Sequence, residues 1–164
     1  CGAGLVLAGA MAGGRAQPAP APKLTLAQSN YIEYCAGCHG IQGNSAPARV
    51  PRLRGRVGYF LCAPGGRDYL IRLPNVSHAA LPDPEDLAEL MNFVIFSLGQ
   101  ESTPSGTRPY SGAEVERLRH SPLRSGESLL RVRAALVAGA IKSCNAPESL
   151  YDYGGKNAGK AAAS

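Results

Sequence analysis

Apolar residues recur at helical spacing in the middle of the chain and again near its end, within residues 125–142. The first set is Leu87, Leu90, Met91, Val94 and Ile95. Their i, i+3, i+4, i+7 and i+8 spacing is typical of a helix with one buried face. Asp83 and Pro84 predict the start of this helix, because a capping side chain and a proline at the first position both favour it. Gly99 predicts its end.

Four further helices are predicted from capping patterns and chain breakers. Thr25 and Gln28 match a capping box, so a helix should begin there and end near Gly40. The other predicted helices span residues 67–73, 111–120 and 125–142, with loops at 41–66, 74–82 and 100–109. No stretch alternates polar and apolar residues as a strand would, so the sequence predicts an all-α fold.

Composition also changes at both ends of the chain. Residues 1–16 are small and apolar and finish in Gly14-Arg15-Ala16, which resembles the end of a signal peptide. We therefore expect export to a periplasm or an equivalent compartment. Residues 17–24 are predicted to be a Pro/Ala linker, and residues 143–164, rich in Asn, Gly, Ala and Lys, a disordered tail.

Charge excludes some classes of partner. The net charge is +5, from 17 basic and 12 acidic residues, and no dense basic run interleaved with aromatic residues occurs. This distribution does not favour binding to nucleic acid. No apolar run approaches the roughly 20 residues of a membrane-spanning helix, so no transmembrane span is expected.

The motif Cys35-Ala36-Gly37-Cys38-His39 carries the chemistry of this chain. Two thiols at this spacing can add to the two vinyl groups of one haem, and the adjacent imidazole can then bind the iron. A zinc half-site is the first alternative, but no second Cys/His pair follows at matching spacing. A redox dithiol is the second, but such motifs follow a strand in a βαβ unit, and none is predicted here.

Residues 25–99 resemble the small class I c-type cytochromes. The pattern continues after the CxxCH motif with three segments, Pro51-Arg-Leu53-Arg-Gly55, Tyr69-Leu70 and Asn92-Phe93-Val94. The resemblance implies an all-α cytochrome c fold, with the first and last helices crossing near the edge of one covalently bound haem c. It also implies one-electron transfer, with Cys35 and Cys38 as the haem thioethers and His39 as the proximal iron ligand. Residues 25–100 would form this domain, and residues 101–142 a helical extension.

The sixth iron ligand departs from the family pattern, in which a Met precedes the last helix. Met11 lies in the predicted signal segment, and Met91 belongs to an apolar helix stripe, where Met usually fills a core. His78 is the first candidate, because it lies in the loop before the last helix. Cys62, in an apolar setting, is the alternative; it has no obvious disulfide partner nearby, since the possible partner Cys144 lies in the predicted tail. An open coordination position is the third possibility.

Four arginines, Arg49, Arg52, Arg54 and Arg56, follow the motif. We expect one of them, Arg54 being our choice, to pair with a haem propionate, because buried carboxylates need charged partners. The others could form a docking patch for an acidic redox partner or simply a solvated loop.

The function predicted from these features is electron transfer rather than catalysis. The protein would act as a shuttle or as the cytochrome subunit of an oxidoreductase complex. The extension favours the subunit, because an amphipathic helix needs a surface that covers its apolar side. The alternatives are a haem enzyme and a redox or gas sensor, with the sixth position open or occupied by Cys62.

Overall fold

The structure is a computed structural model that describes residues 23–44, 50–124 and 126–154. Within these ranges the chain forms helices and turns but no strand, so the all-α prediction is confirmed. The α-helices are α1 (Leu26–Tyr34), α2 (Ala36–His39), α3 (Gly66–Arg72), α4 (Pro74–Ser77), α5 (Pro84–Asn92), α6 (Gly112–Arg119) and α7 (Glu127–Cys144). Short 3₁₀ segments occupy Val57–Cys62, Gln100–Ser102 and Glu148–Gly154, and a π-helical turn occupies Phe93–Leu98.

Helix α1 begins where the capping box predicts. The Thr25 hydroxyl accepts a hydrogen bond from the Gln28 backbone N–H at 3.2 Å, and the Gln28 side chain accepts one from the Thr25 N–H at 2.8 Å. These two bonds satisfy N–H groups that the first helical turn leaves without partners. The helix breaks at Cys35, and α2 then carries the rest of the CxxCH motif up to Gly40.

Helix α5 buries the predicted apolar stripe and crosses α1. The Asp83 carboxylate accepts a hydrogen bond from the Glu85 N–H at 2.9 Å and so caps the helix. Leu87, Leu90 and Met91 are buried, and the π-helical turn continues this face through Val94 and Ile95. Where the two elements meet, the ring centroids of Tyr31 and Phe93 lie 5.5 Å apart. This crossing of the first and last domain helices is the arrangement that the family resemblance implies.

The extension packs on the domain rather than standing apart from it. Helix α6 lies against α3 and α5, and α7 lies against the 3₁₀ segment Val57–Cys62. The apolar residues of α6 and α7 that are buried there are Val115, Leu118, Leu136, Val137 and Ala140, whereas Leu130 and Val132 of α7 are exposed. A disulfide between Cys62 and Cys144 joins the end of α7 to the same 3₁₀ segment.

The predicted start of the disordered tail is corrected by the structure. Helix α7 continues to Cys144, and the 3₁₀ segment Glu148–Gly154 follows it. Leu150 is fully buried and Ala146 nearly so, which anchors a stretch whose polar composition suggested disorder. The predicted signal segment 1–16, most of the linker 17–24 and residues 155–164 lie outside the described residues.

The structure places short helical turns in the stretches expected to be loops, including the 3₁₀ turn Gln100–Ser102 in 100–109 and two turns earlier in the chain. Val57–Cys62 lies within 41–66, and α4 lies within 74–82. Both fall between breakers, Gly55 and Pro64 in one case and Leu73-Pro74 and Pro82 in the other, so neither is long enough for a periodic pattern. In the part of the chain described, no helix is long and apolar enough to cross a bilayer.

Candidate functional site

A cavity of about 260 Å³ opens beside the CxxCH motif. Its walls come from α2, the stretch 50–53, helices α3 to α5 and the extension. Most of the lining is apolar, including Leu53, Val57, Phe60, Leu70, Leu73, Val76, Val94 and Leu129. An apolar cleft with a few placed polar groups is the usual form of a small-molecule or cofactor site.

Cys35 and His39 lie together on one wall, because one helical turn separates them. The His39 backbone N–H donates to the Cys35 carbonyl at 3.0 Å. Cys35 is half-buried and Cys38 is exposed, and neither forms a disulfide. Burial, with a smaller contribution from the neighbouring Cys38, raises the pKa of the free Cys35 thiol to about 11. The motif thus presents two reduced thiols, one at the cavity wall and one outside it.

The imidazole of His39 is oriented by the loop that follows the motif. Its Nδ1 lies 2.9 Å from the Pro51 carbonyl oxygen, and because a carbonyl only accepts, Nδ1 is the nitrogen that carries the proton. The other nitrogen, Nε2, keeps its lone pair. A histidine that donates its second ring N–H to a backbone carbonyl is typical of a metal ligand. Burial lowers the pKa of His39, which favours the neutral imidazole that binds metals.

Two arginines and two tyrosines provide the polar part of the cavity wall. The Arg133 Nε donates to the Tyr69 hydroxyl at 2.8 Å, and the Tyr153 hydroxyl donates to the Arg52 carbonyl at 2.5 Å. Tyr69 belongs to α3, whereas Arg133 and Tyr153 belong to the extension. The cavity is therefore completed by residues from both parts of the chain.

Known proteins similar to this chain are cytochromes. No protein-family model matches it. A curated cytochrome c-552 of Thermus thermophilus is 31% identical in a match covering 61% of this chain and 81% of that protein. A second cytochrome c-552 of the same species is 31% identical, covering 54% of this chain and 81% of the relative. The chain belongs to the c-type cytochromes. Its cofactor is covalently bound haem c, and the family is one of electron carriers.

The residues that line the cavity of this cytochrome fit a haem. Apolar side chains suit the macrocycle, and the unprotonated Nε2 of His39 suits the iron. The cationic side chain of Arg52, exposed at the edge of the cavity, suits the carboxylates that a haem carries.

Arg54, our choice for the propionate partner, does not line the cavity. Its Nε donates to the Gln42 carbonyl at 2.7 Å and so ties two loop stretches together. Arg52 takes the place beside the cavity, because the backbone turns between these two positions. Arg56 donates to the Ser149 hydroxyl at 2.8 Å, and Arg49 lies outside the described residues.

His78, the first candidate for the sixth ligand, lies elsewhere in this cytochrome. It follows α4 on the surface, and its Nδ1 is 2.9 Å from the Pro74 carbonyl oxygen. It lines a separate surface depression with Glu116, Arg119 and His120. The short helix α4, unforeseen in the sequence, turns this side chain away from the cavity that contains His39.

The structure also removes Cys62 from the ligand candidates. Its sulfur is bonded to that of Cys144, so no thiolate is available. Met91 is buried in the α5 stripe as expected, and it also lines the cavity. Leu129, Arg133 and Tyr153 are the cavity residues that sequence reasoning missed. No motif marks them, because they reach the cavity only through the packing of α7 and the segment after it.

Proposed function

We propose that this protein carries single electrons on one haem c, which would be attached through the thiols of Cys35 and Cys38 and held at its iron by His39. The observation that supports this best is the position of His39. Its imidazole lies on the wall of an apolar cavity together with Cys35, and its Nδ1 proton is directed to the Pro51 carbonyl at 2.9 Å. Covalent attachment would let a small core hold a large apolar cofactor.

Each side chain has a distinct role in this proposal. In each attachment the thiol S–H adds across a vinyl C=C bond, so that one C–S and one C–H bond form with no net oxidation. The Pro51 carbonyl holds the His39 ring in place, and the apolar lining excludes water from the iron. Haem, when bound, supplies the one-electron couple of its iron. Arg52, at the exposed edge of the cavity, would pair with a propionate.

The packing of the extension supports a shuttle rather than a subunit of a larger complex. The argument for a subunit was that the apolar face of the last helix needs a partner. Leu136, Val137 and Ala140 are buried within this chain, so the C-terminal half of that face is covered, while Leu130 and Val132 near its start remain exposed. We therefore propose an exported, periplasmic electron shuttle that meets its redox partner transiently. The basic residues of the loop 50–56 would increase the encounter rate with an acidic partner.

A second candidate function is a haem enzyme or sensor with an open coordination position. One observation favours it: His78 lies outside the cavity, and Cys62 is in a disulfide. Neither of the two side chains considered first for the sixth position can then occupy it. The inference in the next subsection follows from this observation.

The test uses the full chain fused to a bacterial secretion signal and produced in a bacterium with an active cytochrome c maturation system. We expect the denatured protein to have the polypeptide mass plus one haem, and a reversible one-electron redox titration. We also expect it in the periplasmic fraction as a monomer by native mass spectrometry. A denatured product at the bare polypeptide mass would contradict haem attachment. A stable complex with another subunit after purification would contradict the shuttle.

A further inference from the structure

We infer that Arg133 and Tyr69 form a binding site for a small anion inside the cavity, at the coordination position that His39 leaves open on the iron. The inference rests on the proposed haem attachment and adds to it a ligand-binding activity. The ligands would be small inorganic anions, for which azide and cyanide serve as probes.

The first observation is the polar pair itself, which lies within a mostly apolar lining. Tyr69 is 4% exposed, and its ring stacks on that of Phe60 with the centroids 5.6 Å apart. Its hydroxyl accepts the hydrogen bond from the Arg133 Nε at 2.8 Å. Because the oxygen accepts from Arg133, its own O–H remains free to donate to a ligand. The pair therefore presents a hydroxyl donor and further guanidinium N–H donors to the cavity.

The second observation is the charge of Arg133. It is half-buried, and among the described side chains no carboxylate lies within ion-pair distance of its guanidinium. Arg133 and His39 line the same cavity. A partly buried cation whose hydrogen-bond partner is a neutral phenol is not neutralised, and an anion would complete it.

The two cavity arginines differ in depth, which separates their roles. Arg52 is exposed, as suits a carboxylate at the edge of a cofactor. Arg133 instead bonds to a buried tyrosine hydroxyl. Arg133 lies deeper in the cavity than Arg52, so the anion that it would bind is a small ligand of the iron. Arg133 also comes from α7, outside the region that resembles class I cytochromes.

The third observation concerns the competing ligands for the iron. His78 and His120 line the surface depression, and Cys62 and Cys144 are bonded to each other. Among the described residues that line the cavity, the remaining soft donor besides Cys35 is Met91. Met91 lies in the buried stripe of α5, packed as a core residue. We therefore assign the open position to an exogenous ligand.

The experiment titrates the ferric holoprotein with azide at constant ionic strength and follows the absorption spectrum. We expect the wild type to bind azide. Both Arg133→Met and Tyr69→Phe should bind it about 10- to 100-fold more weakly, which is the contribution of a hydrogen bond to a charged group. The azide affinity of Arg133→Lys should lie between those of these variants and the wild type, because lysine keeps the charge and lacks the planar guanidinium. Imidazole, a neutral ligand, should lose less affinity than azide in Arg133→Met.

Arg131→Met is the matched control, since Arg131 is exposed on the same helix and its loss changes the net charge equally. Azide affinities equal in Arg133→Met and Arg131→Met would overturn the inference. The inference would also be overturned if the wild type did not bind azide and Met91→Leu did, since Met91 would then be the sixth ligand of the iron. Intact mass separates the two proposals. Protein that carries haem and fails these tests overturns only the anion site, and protein without haem overturns both.

Discussion

The two parts of the chain contribute to the cavity in different ways. Residues 25–100 supply Cys35 and His39 to its wall, and Cys38 beside it, all within one short motif. Residues 101–154 supply Leu129, Arg133 and Tyr153 from a helix and a 3₁₀ turn that lie far along the sequence. The cavity residues of the first part can be recognised from their spacing in the sequence. Those of the second part reach the cavity only through the packing of the folded chain. The comparison shows that a cofactor can be inferred from the motif alone, whereas the surroundings that tune it cannot.

The largest expected effect comes from removing the thiols of the first part. In Cys35→Ser/Cys38→Ser we expect no covalent haem, because a hydroxyl does not replace the thiol in the attachment. The measurement is the intact mass of the denatured protein after maturation. Cys62→Ser/Cys144→Ser is the matched control, since it makes the same two replacements in the disulfide of the second part. Haem at full occupancy in the first variant would contradict the proposed attachment.

The same disulfide variant tests the second part. Cys62 and Cys144 are 82 residues apart, and their bond closes α7 onto the 3₁₀ segment Val57–Cys62. Losing the cross-link releases conformational freedom in the unfolded chain, and we expect a loss of about 2–5 kcal/mol in the free energy of unfolding. Denaturant unfolding of the oxidised holoprotein measures it. An unchanged unfolding midpoint would show that the extension is held by its packing alone.

A smaller change in the free energy of unfolding is expected when the ion pair between the two parts is broken. Arg67 of α3 donates to both carboxylate oxygens of Glu114 in α6, at 2.6 and 2.7 Å. The Arg67 hydrogen bonds hold the pKa of Glu114 below its ordinary value of 4.5. A carboxyl with a lowered pKa stabilises the fold above its unfolded pKa, and this contribution disappears as the pH falls through the lowered value.

Glu114→Gln should therefore cost about 1 kcal/mol at pH 7 and progressively less below pH 4.5. Urea unfolding at a series of pH values measures the difference from the wild type. Glu116→Gln serves as the control, because Glu116 is on the same helix and its one ion pair, with His120, is exposed and contributes little to stability. If the free energy of unfolding of Glu114→Gln differs from that of the wild type equally at pH 3 and pH 7, loss of the ion pair does not cause the difference.

The extent to which the sequence predicted this protein follows from the same contrast. The Thr25 and Asp83 caps and the α5 stripe are local signals, and the structure has all three. The position of His78 was not predictable, because the four-residue helix α4 leaves no periodic pattern. The tail from 143 was misjudged since its apolar residues, Ala146 and Leu150 among them, are scattered without helical spacing, and only their packing shows that they are buried.

The smallest expected effect is that of His78→Ala, and it tests the comparison within the first part alone. His78 lines the surface depression with His120, and its Nδ1 is paired with the Pro74 carbonyl. We expect the absorption and electron paramagnetic resonance spectra of the ferric protein to match those of the wild type. His120→Ala is the matched control at the other histidine of that depression. A change of spin state in His78→Ala alone would mean that the loop before α5 rearranges and brings this imidazole to the iron. His78 would then occupy the coordination position of the iron that we assign to the anion, and the inference about Arg133 would be wrong.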